Sequence, residues 1–155
     1  MTTTHESDRI EKVMELDAPV SRVWRALTDH REFGEWFRVD LDQPFVVGGK
    51  STGRMTYPGC EGMAWRALVE RIDPETLFAF RWAQDGDEAK AEEEVATGDT
   101  TLVEFRLEPC ERGTRLTVSE SGFSALKDPR RLEFLRRNTE GWEMQLQNIA
   151  SHVSA

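Results

Sequence analysis

Cysteine, tyrosine and histidine are scarce in this chain: two, one and three residues out of 155. Cys60 and Cys110 have neither CxxC spacing nor histidines beside them, which argues against a zinc site or a disulfide scaffold and fits reduced thiols. A lone bridge between the two stays open. His5, His30 and His152 fall in the N-terminal tail, at an interhelical turn and at the C-terminal end. No two share a helical face with a carboxylate, so no metal site and no histidine-based triad is read from them. Basic residues are also in deficit, 20 Lys and Arg against 29 Asp and Glu, for a formal charge of −9. Such a field opposes phosphate backbones and anionic lipid, so no nucleic-acid partner is expected. No apolar run approaches the ~18 residues of a membrane span, so no membrane insertion is expected. Met1 to Asp8 lacks the basic and apolar regions of a secretion signal, which points to a cytoplasmic protein. No nucleophile motif or glycine-rich phosphate loop occurs, so the sequence names no catalytic residue and no cofactor.

What the sequence does contain is one long amphipathic segment from Asp128 to Val153. Leu132, Leu135, Thr139, Trp142, Leu146, Ile149 and Val153 recur at alternating steps of three and four, one stripe on a 3.6-residue period. The spacing predicts a helix of roughly 35 Å, capped by Asp128 and admitting Pro129 in its first turn. Gly141 sits mid-helix, where it costs roughly 1 kcal/mol against alanine. Beside Trp142, it predicts close packing or a local bend.

Before that helix the chain reads as one strand, two short helices and about six strands. Ile10, Met14 and Leu16 mark the first strand, Arg9 to Leu16. After Asp17-Ala18-Pro19, the positions Val20, Val23, Trp24 and Leu27 give the apolar face of a short helix, with Trp24 as a core residue. A second helical piece runs from Arg31 to Trp36, and Phe37 to Leu41 turns extended. Turn signals then separate Ser51 to Tyr57, Met63 to Ile72, Leu77 to Trp82, Thr101 to Leu107 and Thr114 to Ser121 as strands. Asp85 to Glu94 carries six acids and one lysine and is predicted to be a solvated loop. With no internal repeat and no linker, residues 1–155 read as a single α+β domain with its core between about 9 and 153. A curved antiparallel sheet and a one-sided helix bury each other, and the concave gap between them is a place for a small ligand.

Several segments carry a family resemblance: Ile10 to Leu16 with Asp17-Ala18-Pro19, Val23-Trp24-Arg25-Ala26-Leu27-Thr28-Asp29, Trp36-Phe37, and Val69 to Pro74 running into Leu77 to Trp82. Leu116 to Phe123, ending Glu120-Ser121-Gly122-Phe123, and Gly141-Trp142 with Leu146 and Ile149 complete it. Over nearly its whole length the chain resembles the SRPBCC, or START-like, superfamily. Within it, the chain is similar to bacterial relatives of the C-terminal domain of the activator of the heat-shock protein 90 ATPase. The resemblance implies a helix-grip (START-like, Bet v 1-like) fold with a cavity between sheet and helix. It also implies a role among binders of lipids, polyketides, hormones or chaperone partners, with stress response in view.

The residues expected around that cavity are Trp36, Trp65, Phe80, Trp82, Phe105, Glu120, Asn138, Trp142 and Gln145. Glu120 stands out because it alternates with Leu116 and Val118 and so points to the apolar face, where a buried polar group needs a partner. Either Arg66, Arg81 or Arg106 answers it, a bulge turns it outward, or it is a cavity carboxylate that orients a ligand or moves a proton. Asn138 and Gln145 flank Trp142 and offer amides to a ligand or to solvent. Arg136 and Arg137 are expected in solvent with Glu133 and Glu140, the alternative being an acidic partner surface or the chain's own acidic loop. The leading expectation is a binder of a small apolar, aromatic or lipid-like molecule. A polyketide cyclase or hydrolase using Glu120 and a co-chaperone-type module are the alternatives. A second copy of the chain is a further candidate partner.

Overall fold

The computed structural model describes residues 8–154, so His5 and the rest of the N-terminal tail lie outside the described residues. The chain begins with β1 (Arg9–Leu16), followed by α1 (Val20–Thr28) and α2 (His30–Phe37). Next come β2 (Val39–Leu41), β3 (Lys50–Met55), β4 (Ala64–Asp73), β5 (Leu77–Trp82) and α3 (Glu88–Thr97). The strands β6 (Thr101–Cys110) and β7 (Gly113–Ser121) precede a short 3-10 turn at Phe123–Ala125 and the final helix α4 (Arg131–Ser154). All seven strands form one antiparallel sheet in the order β1-β7-β6-β5-β4-β3-β2. The first two strands thus lie at opposite edges. The α1–α2 arm carries the chain from one edge to the other, and α4 packs against β1, α1 and α2. The helices α1, α2 and α4 gathered on one face of a meander make the α+β helix-grip fold.

Local chemistry sets the joints of the arm. The Pro19 carbonyl accepts the first amide hydrogens of α1, from Arg22 and Val23. The Asp29 carboxylate accepts from the Arg31 and Glu32 amides and so starts α2 only one residue after α1 ends. A bulge between Val69 and Arg71 in β4 adds curvature to the sheet. Its concave side is filled by interlocked rings. Phe33 lies 4.9 Å from Phe37, 5.4 Å from Phe45 and 5.8 Å from Trp65, and Phe78, Phe80 and Phe105 extend the cluster across the central strands.

Five sequence expectations change. The acidic run is a helix, not a loop. Asp87 caps α3 by accepting from the Lys90 amide, Gly98 ends it in a left-handed conformation, and Ala91 is buried beneath it. Two of its acids are paired with bases from the sheet: Arg66 Nε donates to Glu92 at 2.5 Å, Lys50 reaches Glu92 at 3.0 Å, and Arg54 reaches Glu88 at 3.4 Å. The final helix starts at Arg131, three residues after Asp128, whose carboxylate caps only the preceding turn by accepting from the Arg130 amide. At that end the stripe is rotated, with Leu132 55% exposed and Phe134 buried in its place. Trp24 is half-buried at the margin of the core. Gly141 makes no close contact, since a Cβ built there would meet nothing within 4 Å.

Candidate functional site

Glu120, on β7 between Ile10 of β1 and Val103 of β6, points inward as its alternation predicts and is fully buried. Its partners are not the arginines: Arg66, Arg81 and Arg106 pair instead with Glu92, Glu70 and Glu104. Neutral donors surround it. The Trp142 indole Nε1 donates to Oε1 at 2.8 Å, and the Trp82 Nε1 to Oε2 at 2.8 Å. Thr101 Oγ1 at 2.6 Å and Gln84 Nε2 at 3.2 Å also donate to Oε2. Asn138 Nδ2 bridges both oxygens at 3.1 Å. Every neighbour donates, so both oxygens act as acceptors.

The two indoles that Glu120 holds are also one wall of a groove. Trp82 and Trp142 lie with ring centroids 5.8 Å apart, tilted by 30°. Beside them, Phe37, Met55, Met144 and the open flank of Gly141 enclose a volume of about 340 Å³ between α4 and the β3–β4 loop, where Tyr57 and Cys60 complete the rim. The lining is almost wholly apolar. Its polar members are Arg137, Asn138, Glu140 and Gln145, and Gln145 is spent on the fold, donating from Nε2 to the Phe37 carbonyl at 2.9 Å. Arg137 is exposed as a residue, while desolvation of its guanidinium lowers its pKa from the ordinary value. It is not solvated with Glu133 and Glu140 but donates to Gln84 Oε1 at 2.9 Å and Asn138 Oδ1 at 3.0 Å and lies over the Phe134 ring.

Of the nine residues singled out in the sequence, Trp82, Asn138, Trp142 and Gln145 border this groove. The other five do not. Trp36 donates its indole hydrogen to the Ala26 carbonyl, and Trp65 donates to Ser51 Oγ. Phe80 and Phe105 lie in the ring cluster, and Glu120 is sealed behind the indoles. Sequence reasoning missed Gln84, although it sits two residues beyond Trp82 and the strand period carries it to the same side. Cys60 gave no signal, because loop residues follow no period, and Tyr57, expected within a strand over Ser51 to Tyr57, lies past the end of β3 at Met55. Met144 lies just off the helical stripe, in the position of a surface residue.

A family profile matches residues 17–154, from the turn after β1 to the end of α4, under the description Activator of Hsp90 ATPase homolog 1-like protein. The chain belongs to this family. Among solved structures, protein MLL2253 from Mesorhizobium loti superposes with a TM-score of 0.74 at 20% identity, covering 94% of this chain and 96% of that one. A protein from Arthrobacter aurescens gives 0.74 at 25% identity over 96% and 87% of the two chains. The Aha1 dimer from Colwellia psychrerythraea gives 0.68 at 19% identity over 94% and 95%. Comparison with curated proteins found no match. The structural likenesses concern the fold, and the groove's chemistry rests on its own residues.

Proposed function

We propose that this protein binds a small apolar molecule, aromatic or lipid-like, in the groove between α4 and the β3–β4 loop, without covalent chemistry and as one domain acting in the cytoplasm. The observation that carries this is the open flank of Gly141. A mid-helix glycine costs roughly 1 kcal/mol, and here no neighbour requires the missing Cβ. What the glycine provides is room over the Trp82–Trp142 wall, and about 340 Å³ falls within the range of small-molecule sites, ~300–1,000 Å³. Indole faces and flexible methionines suit an apolar body of adaptable shape.

Glu120 does not enter this function as an acid or base. A general base must reach the proton it takes, whereas both oxygens of Glu120 already accept hydrogen bonds and the side chain has no exposure. The test combines native mass spectrometry and thermal shift against a panel of lipids and aromatic metabolites, with Gly141→Trp as the control. Wild type is expected to retain and be stabilised by members of the panel. The variant, its new ring filling the groove, is expected to stay folded and lose those shifts. A panel that shifts neither protein overturns ligand binding. Stimulated ATP hydrolysis by a purified heat-shock chaperone would instead favour the co-chaperone role that the family description names. For assembly, the Colwellia relative is described as a dimer, and sedimentation of this chain tests whether it pairs likewise.

A further inference from the structure

We propose that the groove selects ligands bearing one acidic head group, and that Arg137 receives it. Acid selectivity presupposes the ligand-binding function above and narrows it to a chemical class. The guanidinium is held in place by two neutral amides, Asn138 Oδ1 at 3.0 Å from Nε and Gln84 Oε1 at 2.9 Å from Nη2, and by the Phe134 ring, 4.8 Å from its Cζ. Those amides are themselves oriented. Asn138 and Gln84 each turn their NH₂ toward Glu120, at 3.1 and 3.2 Å, which leaves their oxygens facing Arg137. Glu120 is thus a positioning residue for the cation. It does not pair with it directly.

No carboxylate among the described residues forms an ion pair with Arg137, in contrast to Arg130 just before α4, which Asp128 and Asp85 answer at 2.8 and 3.4 Å. Nη1 has no hydrogen-bond partner among the described residues, and a guanidinium presents its donors in a fork that fits a carboxylate. A fixed cation with no carboxylate in direct contact, bordering an apolar groove, is complementary to an amphipathic monoacid. Glu140 also borders the groove. Its negative charge repels an acid from that side and so fixes which end of the ligand lies at Arg137.

Naphthylacetate and its uncharged amide, naphthylacetamide, share one apolar body and separate the two levels of the proposal. By titration calorimetry on the full chain, wild type is expected to bind the acid about tenfold more tightly, the size of one charge-assisted hydrogen bond. Arg137→Gln should weaken the acid about tenfold while leaving the amide within about twofold, so that amide binding reports an intact groove. Arg137→Lys should retain part of the preference. Equal affinity of wild type for both probes, or an equal loss of both in Arg137→Gln, overturns acid selectivity and leaves the groove as a ligand site. Binding of neither probe overturns the site itself and the selectivity with it.

Discussion

Glu120 shows how a buried carboxyl group can be held by neutral hydrogen-bond donors. Taking a carboxylate out of water costs several kcal/mol, and here hydrogen bonds from Trp82, Gln84, Thr101, Asn138 and Trp142 replace the lost hydration. Glu120→Gln keeps the shape but converts one acceptor into a donor that must face an indole N–H or an amide N–H. With ~1–3 kcal/mol for each buried group left unsatisfied, the variant is expected to lose about 2–4 kcal/mol. Urea unfolding with an unchanged denaturant slope would measure it, and a loss below about 0.5 kcal/mol would show that the donors find other acceptors. The inward direction of this side chain was legible in its alternation with Leu116 and Val118. Its partners were not, because the donors come from β6, the end of β5 and α4, and only the closed sheet brings those together.

At the scale of elements, α4 combines a packing role with an opening. Its stripe was legible from Trp142 to Val153, where Trp142, Leu146, Ile149 and Val153 are all buried. It was misjudged at the first turn, where the helix begins later and Phe134, cradled by the Arg130 and Arg137 guanidinium groups, takes the inner position. Phe134→Ala is therefore expected to cost about 3–5 kcal/mol, and Leu132→Ala no more than about 0.5 kcal/mol. Equal losses from the two in denaturant melts would restore the unrotated stripe. Gly141→Ala should move the other way, stabilising the protein by about 0.5–1 kcal/mol, since the helix gains propensity and the new methyl meets nothing. The same helix logic explains why α3 was not legible. Its six-acid neighbourhood looks solvated in isolation, and the bases that pair with it, Lys50, Arg54 and Arg66, lie 42, 34 and 26 positions before their partners, on β3 and β4.

Over the whole molecule, the two ends of the fold are tied through one carboxylate. Glu32 of α2 accepts from Arg22 Nη1 at 2.7 Å and Arg25 Nε at 2.8 Å, both on α1, and meets His152 Nε2 at 2.9 Å in the last turn of α4. The helical arm that crosses between the sheet edges is thereby fastened to the helix that covers the sheet. Burial by itself would raise the pKa of Glu32, but the hydrogen bonds from His152, Arg22 and Arg25 outweigh it and hold the group at about 2 against an ordinary 4.5. A carboxylate depressed in the folded state stabilises the protein above its unfolded pKa and loses that contribution as pH falls through the folded one. The window here runs from about 4.5 down to about 2. Many other acids titrate over the same range in a chain of charge −9, so the informative quantity is a difference between two proteins. The stability of wild type relative to Glu32→Gln, from urea melts, is expected to be largest near about pH 6 and to shrink toward zero by about pH 2. A difference that stays constant across that range would mean the carboxylate is not ionised in this junction, and that packing alone joins the arm to α4.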